Sequence, residues 1–168
     1  LFINEKSYGK QSKNNISLKS RYRLMWMDAV YEPGEVKVVA YNKDGKAVAE
    51  KTVRTAGKPH HIELVSNRNE LTADGKDLAY VTVKVVDKDG NLCPTDSRLI
   101  HFSVKGAGKF RAVANGDPTN LEQFHLPKMH AFHGMLTAIV QAGEIDGDLV
   151  LTAKASGVKT GTVHLQAK

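Results

Sequence analysis

LTADGKDLAYVTVKVVDKDGNLCPTD, residues 71–96, holds two apolar runs set apart by Asp-Gly turns. In its centre Val81, Val83 and Val85 alternate with Thr82 and Lys84. Successive side chains of a strand point to opposite faces, so this spacing gives one greasy face and one wet face. Asp74-Gly75 and Asp89-Gly90 bracket the run. That dipeptide suits tight turns because Gly, and less readily Asp, tolerates positive φ. The stretch therefore predicts a half-buried strand between two turns. It carries no nucleophile elbow, phosphate loop or metal cage.

The same period recurs outward along the chain. Ile100, Phe102 and Val104 share a face, as do Leu136, Ala138 and Val140, then Leu149, Leu151 and Ala153, and finally Val163, Leu165 and Ala167. Asp44-Gly45 and Asp146-Gly147 add two more turn signals. No segment keeps a helical period, and Pro127 interrupts the one stretch that offers a helical turn, NLEQFHLPKMHAF. Strand candidates fall near 1–4, 22–28, 35–42 and 47–55, and about seven more follow from His61 onward. Short strands at regular spacing with turn signals predict an all-β fold of β-sandwiches. The AGKPHH stretch, residues 56–61, marks a boundary. The expected layout is two tandem immunoglobulin-like domains: a partial one over 1–58, truncated at its N-terminus, and a complete one over 59–168.

Composition bounds the function. The chain has 168 residues, 41% hydrophobic and 25% charged, with a net charge of +6. The basic residues are scattered in turns and along strands, which speaks for solvated faces and against a nucleic-acid surface. No apolar run reaches membrane-spanning length. The single cysteine, Cys93, permits no internal disulfide. The opening LFINEKSYGK has no starting Met and no signal-peptide pattern, and reads as a cut within a longer polypeptide.

Three blocks carry a family resemblance. LFINEKSYGKQSK (1–13) and YRLMWMDAVYEPGEVKVVAYNKDGKAVAEKTVRTAGKP (22–59) resemble the immunoglobulin-like domain that follows the catalytic barrel in bacterial glycoside hydrolase family 2 enzymes of the β-galactosidase type. The remainder, through FRAVANGDPTNLEQF (110–124) and KMHAFHG (128–134), resembles a further C-terminal domain of those enzymes. The resemblance implies that a parent enzyme cleaves a β-linked sugar with two carboxylates in its barrel. No position here matches those motifs, so no catalytic residue, cofactor-binding residue or metal ligand is assigned. It further implies a non-catalytic region bracing the barrel, with upstream catalytic domains of the same chain as partners and a periplasmic or surface location. The alternatives are a carbohydrate-binding module that takes a polysaccharide or oligosaccharide, and an adhesin-type repeat, since invasin-like domains carry phrases similar to residues 71–96. An open sheet edge in the truncated domain would invite dimer pairing.

Residue by residue, the candidates are few. Asn115 and Asp117, in the turn signal before Pro118, could hydrogen-bond sugar hydroxyls or face a neighbouring domain, and the loop 115–133 is long for a sandwich. Trp26 shares a strand face with Tyr22 and Leu24 and reads as a core anchor before a sugar platform. His125, His130 and His133 crowd one loop near Asp117 and Glu122 without a recognised ligand spacing. DKDGN (87–91) opens like a calcium loop but lacks the Gly and Glu expected further on. His60 and His61, as neighbours on a strand, would point to opposite faces and share no ion.

Overall fold

Val81, Val83 and Val85 are fully buried and their alternates are not, so the period read from the central stretch is the period of a sheet. The computed structural model describes residues 1–168 and divides into two units, Leu1–Thr55 and Ala56–Lys168. The fold is all-β, as expected.

The first unit contains strands β1 (Phe2–Ile3) and β2 (Lys6–Ser7), a short helix α1 (Leu18–Tyr22), and strands β3 (Glu35–Tyr41) and β4 (Ala47–Arg54). One antiparallel sheet orders them β2-β1-β3-β4. The hairpin between β3 and β4 turns at Asp44-Gly45, where Gly45 takes φ 76° and the Asn42 side chain accepts from the backbone N–H of Asp44 and Lys46. Tyr31 and the backbone N–H of Gly34 both meet the Thr55 hydroxyl, at 3.1 and 3.0 Å, closing the unit at its last residue.

The strand expected over 22–28 is absent. Ser17 caps α1 by accepting from the Ser20 backbone, and Ser20 reciprocates, so residues 18–22 wind into a helical turn. Beyond it, the Gln11 side chain donates to the Met25 carbonyl (2.6 Å) and accepts from its N–H (3.1 Å). One amide side chain thus supplies the pairing that a neighbouring strand would have given. The alternation in YRLMWMD has no partner strand and sets no face.

The second unit holds β5 (His61–Ser66), β6 (Glu70–Leu71), β7 (Leu78–Val86), β8 (Leu99–Gly106), β9 (Gly108–Ala114), β10 (Lys128–His130), β11 (Met135–Ala142), β12 (Gly147–Lys154) and β13 (Gly161–Ala167). They form two sheets, β10-β8-β12-β13-β6 and β5-β7-β11-β9, antiparallel except where β6 runs parallel to β13. Their inner faces make one core. The first sheet contributes Ile100, Phe102, Leu149, Leu151, Ala153 and Leu165; the second contributes Val81, Val83, Val85, Val113, Leu136 and Val140. Phe102 stacks on Phe110 with ring centres 5.9 Å apart. Asp146-Gly147 does not close a hairpin: β11 and β12 belong to different sheets, so this turn carries the chain across the sandwich.

The second unit begins at Ala56, which packs against this core, and Gly57, whose N–H donates to Asp87 at 2.8 Å. Asp87 is the only polar side chain in the buried set. Besides Gly57 it accepts from the N–H groups of Asp89 and Asn91 and from the Asn91 side chain. The DKDGN motif is therefore a turn whose carboxylate is filled by N–H donors.

Candidate functional site

The long loop between β9 and β10 is built around its own side chains. Asn115 donates to the carbonyl of His130 at 2.9 Å and accepts from the Asp117 N–H at 3.1 Å and the Asn120 amide at 3.3 Å. Asp117 accepts from the backbone N–H and the hydroxyl of Thr119 at 2.8 and 2.7 Å, both on Oδ1. Glu122 accepts from the His130 backbone N–H at 3.1 Å, and its other oxygen lies 3.1 Å from His130 Nδ1. The side chains that the sequence singles out thus do meet, but they spend their hydrogen bonds on one another. Asp117 Oδ2 remains the one carboxylate oxygen of the pair without a protein donor.

Electrostatics agree with this assignment. The Thr119 N–H, then the Thr119 hydroxyl, hold the Asp117 carboxyl below its ordinary range, with His133 adding a small pull in the same direction. The Gly57 N–H and the Asn91 side chain drive Asp87 far lower. Asp74 is lowered by the N–H groups of Lys76 and Asp77, and Asp77 by the Thr72 N–H together with Arg68. Burial pushes Asp96 up, but the bonds from Arg98 outweigh it and the carboxyl ends low. All five shifted carboxyls move down, the wrong direction for the proton-donating acid of a glycosidase.

The histidines do not converge. His130 faces Glu122, His133 Nδ1 lies 3.3 Å from the Pro94 carbonyl, and no three His, Cys, Asp or Glu side chains surround a common point. His133 takes φ 51° and Gly134 φ 74°, forming the tight link from β10 to β11. A Cβ on Gly134 would stand 2.3 Å from the Cys93 carbonyl oxygen, so only glycine fits there. Cys93 itself is buried, and burial raises its thiol above the ordinary range, which leaves it inert.

Two arrangements escaped the sequence reading. Asp96 and Arg98 form a two-pronged ion pair, Nε to Oδ1 at 2.8 Å and an η-nitrogen to Oδ2 at 2.6 Å, and Arg98 also donates to the Ser156 carbonyl at 2.6 Å. The Asp-x-Arg spacing across a turn was the available signal. The second is His60–His61, whose Nδ1 atoms lie 3.0 Å apart with rings edge to face. The expectation that they diverge fails because β5 begins at His61: His60 lies in the link before the strand, where strand alternation does not apply.

In the first unit Trp26 is half-buried, and its indole nitrogen is enclosed without a hydrogen-bond partner. Its neighbours Tyr22 and Tyr31 are exposed instead. Around Gln11 lies an open concavity of about 330 Å³ walled by Asn14, Ser17, Arg23, Leu24 and Met25. It contains no aromatic ring on which a sugar could stack.

These features define a class first: tandem β-domains whose conspicuous loops are built for shape, with the polar groups turned inward on the loop itself. Residues 62–164 match the family model described as glycoside hydrolase family 2 C-terminal domain 5, and residues 1–49 match a domain of unknown function (DUF4982). The chain belongs to glycoside hydrolase family 2. It is 42% identical over 168 residues to the beta-galactosidase BoGH2A of Bacteroides ovatus, covering all of this chain and 19% of that protein. It is 30% identical over 165 residues to a beta-galactosidase of Thermoanaerobacter pseudethanolicus, covering 92% of this chain and 20% of that one. Among solved structures, a glycosyl hydrolase family 2 member from Bacteroides cellulosilyticus superposes with a TM-score of 0.85 at 31% identity, over 99% of this chain and 21% of that chain. The chain thus spans about a fifth of the length of these relatives.

Proposed function

We propose that these 168 residues are a non-catalytic accessory region of a family 2 hydrolase acting on a β-linked sugar, a β-galactoside in the first instance. In that role they brace the catalytic domains of the same polypeptide. The observation that carries this reading is the 42% identity to a beta-galactosidase that runs the full length of this chain yet covers 19% of the relative. The chemistry of the loops supports it. Hydrolysis with retention needs two carboxyls about 5–5.5 Å apart, one of them with a raised pKa. The shifted carboxyls here all go down and are occupied by donors of the turns and by the Arg68 and Arg98 guanidinium groups.

The β9–β10 loop supplies the docking chemistry. Leu121 is 96% exposed and Phe124 57% exposed, on a loop fixed from beneath by the Asn115, Asp117 and Glu122 bonds. A rigid loop with an apolar tip suits contact with protein more than with a hydroxyl-rich sugar. The fold supports a bracing function because a sandwich settles its own core and leaves its loops for contact.

The test uses the chain alone and the longer protein. The isolated 168 residues turn over no aryl β-galactoside, whereas the longer polypeptide does. In the latter, Leu121→Asp with Phe124→Ser lowers the thermal midpoint of the whole enzyme and leaves the sandwich folded by circular dichroism. Turnover by the isolated chain would end the reading. Fractionation of the producing cell tests the periplasmic or surface location that the family resemblance implies.

A further inference from the structure

We propose that the outer face of the sheet β10-β8-β12-β13-β6 binds a polysaccharide that bears carboxylates, through lysines that the fold gathers there. The register sets the outward side chains in rows across the strands. Lys128, His101 and Lys154 stand side by side on β10, β8 and β12. Two residues along, Ser103, Thr152 and Thr162 form a second row, and beyond it Lys105, Val150 and His164 form a third. The lysines and histidines of these rows are all exposed. A strand rises about 3.4 Å per residue, so the first and third rows lie about 14 Å apart. Lys105, Lys128 and Lys154 are distant in sequence and meet on one face only through strand pairing.

The face lacks a counter-charge of its own. On the other sheet Lys84 meets Glu63 across the strands at 3.0 Å, the usual way a sheet offsets a cation. Lys105, Lys128 and Lys154 enter no ion pair. The acids of this face, Asp148 and Glu70, are confined to a fourth row past Lys105, and Glu70 is taken by Lys168. The outward side chains include no Phe, Tyr, Trp, Met or Arg. Those residues anchor protein interfaces, where lysine is depleted. A single nucleic-acid strand needs aromatic rings for its bases, and a duplex needs an element that enters a groove; a flat sheet of this composition offers neither. A neutral sugar needs a ring to stack on. Separate lysines with a row of hydroxyls between them suit a sugar chain whose carboxylates meet the cations and whose hydroxyls meet Ser103, Thr152 and Thr162. This binding does not draw on the bracing role, which concerns the β9–β10 loop, so either can fail alone.

The experiment titrates the 168-residue chain with polygalacturonate, which carries one carboxylate per sugar, and reads calorimetry at low and at physiological salt. Neutral dextran, duplex DNA and polyglutamate run beside it, the charged polymers matched in charge concentration. Polygalacturonate should bind, more weakly as salt rises, and more tightly than DNA or polyglutamate; neutral dextran should not bind. Three exposed ion pairs together are worth roughly a tenfold change in affinity, so Lys105→Gln, Lys128→Gln and Lys154→Gln combined should weaken binding about tenfold. Arginine at the same three positions keeps the charge and should keep the binding. Lys13→Gln, Lys43→Gln and Lys46→Gln combined remove as much charge from exposed positions of the first unit and should leave binding unchanged. No binding, equal binding of neutral dextran, equal loss in the two glutamine triples, full binding by the first triple in folded form, or an arginine triple as weak as the glutamine one would each overturn the proposal. Tighter binding of DNA or of polyglutamate would overturn it too, and assign the face to nucleic acid or to an acidic protein.

Discussion

Strands β4 and β12 are of equal length, both carry branched apolar residues, and meet opposite fates. In β12, Leu149 and Leu151 are fully buried; in β4, Val48 and Val53 are 61% and 62% exposed. The difference lies in what faces them. β12 belongs to a sheet with a second sheet packed on its inner face, whereas the first unit has one sheet, in which Ile3 is the sole residue of the buried apolar set. Alternation specifies a strand, but burial requires a facing layer, and that layer is encoded elsewhere in the chain.

The comparison breaks most readily by separating the units. Residues 56–168 expressed alone should unfold in one cooperative transition, with the near-ultraviolet dichroism of a packed interior. Residues 1–55 alone should show neither, because so small a unit with almost no core cannot offset its chain entropy. Dispersed amide resonances from an isolated 1–55 would show that the exposed sheet is self-sufficient.

Single side chains sharpen the same contrast. Leu151→Ala removes a fully buried side chain from between two sheets and should cost about 2–5 kcal/mol in urea unfolding. Val53→Ala removes similar chemistry from an exposed position and should stay within about 0.5 kcal/mol. Comparable losses at both sites would mean that Val53 is covered in solution.

Acid tests the carboxylate that ties Gly57, at the start of the second unit, to the turn after β7. The native Asp87 carboxyl lies below its unfolded value, so its contribution is complete above about pH 4 and disappears as the pH falls through the native pKa. Stability of the second unit should therefore stay level near neutrality and decline below about pH 4. Asp87→Asn should lower stability at pH 7 and shrink that acid-side decline, read from thermal midpoints across pH. An unchanged decline would assign it to the other lowered carboxyls, Asp74, Asp77, Asp96 and Asp117.

Much of the second unit was legible in the sequence because each strand announces its inner face and each Asp-Gly its turn. Val81, Ile100, Leu136 and Leu149 all face inward as their spacing requires. Strand order was not legible: nothing local says that β6 joins β13 in parallel or that Asp146-Gly147 crosses between sheets. Residues 22–28 misled because a strand pattern needs a partner, and Gln11, fourteen residues before Met25, satisfies the backbone there instead. The candidate loop was visible in its turn residues. What Asn115 does was not, because its partner is the carbonyl of His130, fifteen residues away. His60 was misjudged by a single residue of strand boundary.

The smallest effect concerns the open edge of the first unit. β4 borders no further strand, and an exposed edge is a template for a second copy of the chain. Two-fold antiparallel pairing must place some residue opposite its own copy. The two registers with the longest overlap centre on Glu50 or on Lys51, setting like charges face to face, which is destabilising. The edge therefore carries its own deterrent, and the chain should sediment as a monomer at moderate concentration. Glu50→Val removes one clash while keeping a residue suited to a strand, and should move the weight-average mass toward the dimer. The gain should be modest, since an opposed pair is worth about 0.2–1 kcal/mol. A wild-type dimer that Glu50→Val leaves unchanged would show that the charges are not what keeps this edge open.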